Sequence, residues 1–138
     1  MDKKKLERIH KVRTLQLGLV RAEEVRANDR AQSESQLRAR IAQLANAIAP
    51  SEVSTQGFSL VAAARFRDRL HQSAEAAEGR VRAAQAVATH AAEKTREAKR
   101  DQSAIEKLID RADAQAVIRE IRALENAPPS RKIRHDPC

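Results

Sequence analysis

Apolar residues recur at alternating steps of four and three along most of the second half of the chain. The series runs through Leu70, Ala74, Ala77, Val81, Ala84, Ala88, Ala91, Thr95, Ala98, Gln102, Ile105, Ile109, Ala112 and Ala116, of which only Thr95 and Gln102 are not apolar. A 3.5-residue repeat sustained over this length indicates a left-handed coiled coil, because it keeps one seam directed at a partner helix. We therefore predict a long helix over residues 59–126, ended by the prolines at 128 and 129.

The first half of the chain carries a second apolar pattern and no proline before Pro50. Its members are Leu6, Ile9, Val12, Leu15, Leu19 and Ala22 and, after a polar stretch at 28–36, Leu37, Ile41, Leu44 and Ile48. Proline disfavours the α conformation at the residue before it, so the helix should stop ahead of Pro50. The pattern predicts a helix over residues 1–49 that packs through this apolar stripe.

The two predicted helices are joined by a short segment rich in turn formers. Residues 50–58 collect Pro, Ser, Thr and Gly, and a short connection between long helices favours antiparallel neighbours. The expected fold is all-α, an antiparallel two-helix coiled-coil hairpin with a longer second helix. Residues 127–138 are expected to form a basic, disordered tail.

The unequal helix lengths predict an unpaired end. If the hairpin closes at the turn, the second helix extends past the first by about twenty residues. That extension would carry Val117, Ile118, Ile121 and Leu124 with no partner in the same chain. An apolar stripe of this kind marks a docking surface.

Composition supports helices rather than a thick globular core. Aromatic residues make up 1% of the chain, charged residues 33%, and much of the apolar content is alanine. The formal net charge of +8 suits an acidic partner, nucleic acid or anionic lipid. Basic residues alternate with acidic ones along both halves, so no dense basic stripe is visible and most of them are interpreted as a solvated face.

Sequence motifs for chemistry are missing. The four histidines, His10, His71, His90 and His135, are far apart and none is paired at metal-ligand spacing. There is no phosphate-binding loop, no nucleophile motif and no convergent catalytic set. We therefore expect no catalysis, no metal and no cofactor. Without a membrane-spanning stretch or a signal peptide, a cytoplasmic location is expected.

Direct binding to nucleic acid or to a membrane is not expected from the sequence either. The chain lacks a basic region that feeds a zipper, a helix-turn-helix, and aromatic residues on which bases could stack. An alanine-dominated seam is too weak for a membrane-surface helix over most of its length.

The ends of the two predicted helices carry the most distinctive segments. The first begins LERIHKVRTLQLGLVRAEE, and the second ends AAEKTREAKRDQSAIEKLIDRADAQAVIREIRALENA. Within the latter, IEKLIDR followed by REIRALENA is similar to endings of the type EKL-x-ER and R-x-LDE. In this order, over residues 1–127, the chain resembles the FliJ family of flagellar export proteins and the related stalk proteins of type III injectisomes.

The resemblance implies a component of the flagellar protein export apparatus. Members of the family form a two-helix rod similar to the coiled-coil part of a rotary ATPase's central stalk. They dock the helix termini into a hexameric export ATPase, contact the cytoplasmic domain of the export gate and have been viewed as escorts of export chaperones. The implied location is cytoplasmic and peripheral to the inner membrane, through partners only.

The resemblance also implies two sets of site residues. The patch that would bind the export gate comprises Leu37, Ile41, Leu44, Ile48, Phe66 and Leu70. The end that would dock into the ATPase comprises Leu6, Ile9, Arg111, Val117, Ile118, Arg119, Ile121, Arg122 and Leu124. The first set could instead simply close the hairpin near its turn, and the arginines of the second could belong to a solvated face.

Two other functions stay open at this stage. One is a basic coiled coil associated with nucleic acid, which the net charge allows. The other is a dimerising scaffold in which the extension of the second helix pairs with a second copy.

Overall fold

The structure, a computed structural model, describes residues 2–47 and 57–130. These residues form two helices, α1 (Lys3–Ala47) and α2 (Gly57–Glu125). Asp2 caps α1, since its side-chain oxygen accepts the Lys4 N–H at 3.3 Å. The predicted turn at 50–58 falls largely outside the described residues, as do Ile48 and residues 131–138 of the predicted tail.

The helices pack against each other along their length in opposite directions. Lys3 pairs with Asp113, His10 with Glu106 and Arg38 with Glu78, so residue numbers rise on α1 as they fall on α2. The predicted all-α antiparallel hairpin with a longer second helix is confirmed.

The seam of α2 follows the predicted heptad repeat. Val81 and Ala77 are each 1% exposed, and Ala84 and Ala91 are also buried. The repeat positions from Leu70 to Ala112 are all buried or half-buried, whereas Ala116 is exposed. Burial ends there because Lys3, the first residue of α1, pairs with Asp113. Ala116 lies past that pair and has no part of α1 opposite it.

Of the first six residues of the apolar stripe predicted on α1, only one is buried against α2. Leu6 is buried, but Ile9, Val12, Leu15, Leu19 and Ala22 are exposed. The side chains that face α2 are Leu6, His10, Arg13, Leu17, Val20, Glu24, Ala27, Ala31, Glu34, Arg38, Ile41 and Ala45, at alternating steps of four and three.

The spacing explains why the predicted stripe fails. Its members mostly follow at steps of three, so the stripe rotates around the helix instead of remaining opposite one partner. The observed seam keeps the 3.5-residue repeat of α2 and therefore stays in register with it along the rod. Several of its positions are charged, which hides this seam from a search for apolar residues.

Charged residues of the α1 seam pair with the flanks of the α2 seam. Arg13 Nη1 donates to Asp101 Oδ2 at 3.1 Å, and Arg80 Nε donates to Glu34 Oε2 at 3.2 Å. The aliphatic parts of the charged side chains of α1 can lie along the small alanines of α2, while their charged ends reach the edge of the interface. Ion pairs this exposed each contribute only about 0–1 kcal/mol, so they set the register more than the stability.

The extension of α2 is shorter than predicted. Residues 114–125 lie beyond the Lys3–Asp113 pair, which is about three turns or roughly 18 Å. At the turn end, α2 also begins before its pairing with α1 starts. The ion pairs place Ala47, the last residue of α1, opposite Arg69, whereas α2 begins at Gly57. Length alone did not reveal that the excess is divided between the two ends.

The revised seam predicts opposite outcomes for two neighbouring leucines. Leu17 is 4% exposed and Leu19 is 68% exposed. Leu17→Ala should lower the free energy of unfolding by about 2–3 kcal/mol, through lost burial and a residual cavity. Leu19→Ala should change it by less than about 0.5 kcal/mol. Urea unfolding followed by far-ultraviolet circular dichroism measures both, and equal losses would contradict the assigned seam.

Candidate functional site: the surfaces of the rod

The C-terminal end of α2 is a free helix with apolar side chains in solvent. We call residues 114–125 the free end. Ile118 and Ile121 are about half exposed, at 48% and 50%, and Val117 and Leu124 are more exposed still. The prediction that these four residues lack a partner holds for the described part of the chain. They lie at steps of one, three and three, so the exposed set is broad rather than a narrow line.

Arginines accompany this apolar set. Arg111, Arg119 and Arg122 are exposed, and within residues 2–47 and 57–130 none of them forms an ion pair. Arg122 lies in the last turn of α2, where a cation is favoured by the helix dipole. The free end therefore combines exposed aliphatic and guanidinium groups.

The N-terminus of α1 contributes less to this end than the sequence suggested. Leu6 is 3% exposed and lies beside Leu108 and Ala112 of α2, so it packs within the hairpin rather than presenting a docking surface. Ile9 is 36% exposed. Lys3 holds the base of the free end through Asp113 at 2.6 Å, and this hydrogen bond, followed by the carboxylate charge, raises the pKa of Lys3.

The predicted gate-binding residues divide into two groups. Leu37, Leu44 and Phe66 are exposed, whereas Ile41 and Leu70 are half-buried positions of the α1 and α2 seams. Ile48 lies outside the described residues. Of the two interpretations, closure of the hairpin accounts for Ile41 and Leu70, and an outward patch remains for the three exposed residues.

A basic face on α2 was missed by the sequence analysis. Arg96, Lys99, Arg100 and Lys107 surround a shallow depression floored by Ser103 and Ala104. In the sequence, acidic residues alternate with these cations. In the structure, Asp101 and Glu106 turn toward α1 and pair with Arg13 and His10. Arg96, Lys99, Arg100 and Lys107 form no ion pair within the described residues, so this face is rich in cations although Glu97 lies among them.

A second missed surface is an outward apolar face on α1. We call Ile9, Val12, Leu15 and Leu19 the outer stripe. The sequence pattern placed these side chains on one apolar stripe of α1, but Val12, Leu15 and Leu19 lie on the side away from α2, and Ile9 lies at the edge of the seam. The signal that could have found the surface is the spacing, because residues at steps of three leave a 3.5-residue seam within a few turns.

Metal clusters and membrane-spanning segments are both missing from the described residues. Within residues 2–47 and 57–130, no group of three or more His, Cys, Asp or Glu side chains is placed to hold a metal ion. Neither described helix has a stretch that is long and apolar enough to cross a bilayer. The candidate surfaces on the described residues are the free end, the exposed gate-patch residues, the basic face and the outer stripe.

Comparison of the chain with models of protein families, with curated proteins and with solved structures gave no match. The resemblance to the FliJ family therefore rests on the sequence segments and stays a prediction.

The free end should open more readily than the paired rod. Its backbone hydrogen bonds have no packing from α1 to protect them, whereas residues 77–91 surround the buried part of the α2 seam. Amide hydrogen exchange read by mass spectrometry should be at least about tenfold faster in peptides from 114–125 than in peptides from 77–91. Equal protection in the isolated chain would mean that the free end is covered.

Proposed function

We propose that this chain is a stalk-like coiled coil of a flagellar type III protein export apparatus, which docks its free end into the ring of the export ATPase. The observation that carries the proposal is the unpaired end of α2, a helix that projects about 18 Å past its partner with its apolar side chains exposed. The sequence resemblance to the FliJ family supports the choice of partner.

The shape and chemistry of the free end suit insertion into a larger assembly. Its aliphatic residues gain burial only when another surface covers them. Glu120 and Glu125 leave the free end without net charge, so Arg119 and Arg122 would act by pairing with acidic groups of the ring and orienting the helix on entry. The paired part of the hairpin would act as the rod that keeps the free end extended, since a lone helix is marginal in water.

The exposed gate-patch residues provide a second contact in this proposal. Leu37, Leu44 and Phe66 lie toward the turn end of the hairpin, away from the free end. A rod with separate surfaces at its two ends can bridge the ATPase and the cytoplasmic domain of the export gate. Export chaperones are further candidate partners, and the location would be cytoplasmic, peripheral to the inner membrane.

Stimulation of the cognate export ATPase tests the stalk proposal. The wild-type chain should raise the ATPase rate and co-migrate with the ring in size-exclusion chromatography. Ile118→Asp combined with Ile121→Asp should weaken both effects by at least about tenfold, because two charges would have to be buried on docking.

The control for this variant is Val87→Asp, which places a charge at a 60% exposed position in the middle of the rod. It should stimulate the ATPase like the wild type. No effect of the wild-type chain on rate or migration, or equal losses in both variants, would contradict docking through the free end.

Binding to the isolated cytoplasmic domain of the export gate tests the second contact. Leu37→Asp combined with Leu44→Asp should reduce gate binding in biolayer interferometry by about tenfold or more, because both side chains are exposed and would be covered by the partner. The same variant should keep its stimulation of the ATPase. Undiminished gate binding would favour the interpretation in which this region only closes the hairpin.

A further inference from the structure

We propose that the outer stripe of α1 binds directly to the surface of an anionic phospholipid bilayer. This goes beyond the stalk proposal, in which partners alone hold the chain near the membrane, and it does not depend on an ATPase. The observation behind it is that Val12, Leu15 and Leu19, near one end of the rod, face away from the hairpin, with Ile9 beside them at the edge of the seam.

The outer stripe forms one surface on α1. Val12, Leu15 and Leu19 are neighbours at steps of three and four, and Ile9 precedes Val12 by three. Leu15 and Leu19 are 70% and 68% exposed. Since α2 covers the other side of α1, this surface could insert into an interface while the hairpin stays paired.

Cations accompany the outer stripe at a regular distance. Lys5, Arg8 and Lys11 are exposed, and each lies four residues before a stripe residue: Ile9, Val12 and Leu15, respectively. Side chains four residues apart on a helix are neighbours. Long basic side chains can place their aliphatic stems beside buried apolar residues while the charged ends reach lipid phosphates.

The charges of this region are sorted in favour of an anionic surface. Lys3 and Arg13 are engaged by Asp113 and Asp101 of α2, so their charges are balanced within the hairpin. Lys4, Lys5, Arg8 and Lys11 form no ion pair within the described residues. The only acidic residues in 2–19 are Asp2 and Glu7. Clustered basic residues of this kind are attracted to the negative leaflet of a membrane.

The short reach of the stripe favours a bilayer over a third helix. After Leu19 the apolar series continues only through Ala22 and Val25 before the polar stretch at 28–36, so it spans little more than two heptads, fewer than a stable coiled-coil seam needs. A second copy packed in parallel on the stripe would bring the same lysines and arginines against each other. A bilayer needs only a short apolar face with basic neighbours, because insertion is shallow.

The absence of Trp and Tyr from the sequence allows a sensitive test. A single tryptophan at Val12→Trp reports on insertion through its emission wavelength. With phosphatidylserine–phosphatidylcholine vesicles, its emission should shift to the blue, and the shift should diminish as salt is raised. Pure phosphatidylcholine vesicles should give little shift. The matched reporter, Ala104→Trp on the exposed basic face of α2, should stay unshifted.

Vesicle co-sedimentation of tryptophan-free variants gives a second measurement. Val12→Ser combined with Leu19→Ser should weaken binding to the anionic vesicles by about tenfold, because the apolar part of the contact is lost while the charges remain. Leu60→Ser combined with Val61→Ser removes the same residue types at exposed positions near the other end of the rod, and its binding should match that of the wild type. Circular dichroism checks that both variants remain helical.

Three results would overturn the proposal. A blue shift at Ala104→Trp instead of Val12→Trp would assign binding to the basic face. A shift at Val12→Trp that grows with protein concentration without vesicles would assign the stripe to a second copy. Equal vesicle binding by the two serine variants would show that charge alone recruits the chain. The vesicle assays contain no ATPase. The membrane proposal can therefore fail while the stalk proposal stands, and the stalk proposal can fail while membrane binding stands.

Discussion

The interaction on which the rest of the structure depends is the contact between a mixed polar seam on α1 and an alanine-rich seam on α2. Ala77, Ala84 and Ala91 are small, so long side chains of α1 can lie across them and reach charged partners at the edges. Burial along such a seam is thin, and the large side chains buried among the described residues are Leu6, Leu17 and Val81. Stability therefore accumulates over the length of the hairpin rather than in one core.

This contact also determines what the outside of the molecule presents. Asp101 and Glu106 of α2 pair with α1, whereas the neighbouring cations Arg96, Lys99, Arg100 and Lys107 line a depression on the surface of α2. On α1, a seam that admits His10 and Arg13 leaves Val12, Leu15 and Leu19 in solvent. A conventional amphipathic helix would have hidden these aliphatic residues against its partner.

The register divides the functional surfaces along the rod. The Lys3–Asp113 pair marks the point at which α1 begins and the free end of α2 becomes unpaired. Leu37 and Leu44 lie toward the turn, and the outer stripe lies near the free end but on α1. A single shift of register by one heptad would lengthen or shorten the free end by about 10 Å, so the ion pairs matter for reach even where they contribute little energy.

The sequence by itself determined the fold class and the seam of α2, because a 3.5-residue repeat of apolar residues from Leu70 to Ala112 has one physical interpretation. It also identified the exposed residues of the free end, since they fall beyond any possible partner from α1. Tertiary structure alone decided the face that α1 uses, the length of the free end and the basic face. The reason is that a charged residue such as Arg13 or Arg38 signals solvent in a sequence, and only the partner helix shows whether its stem packs and which acid receives its charge.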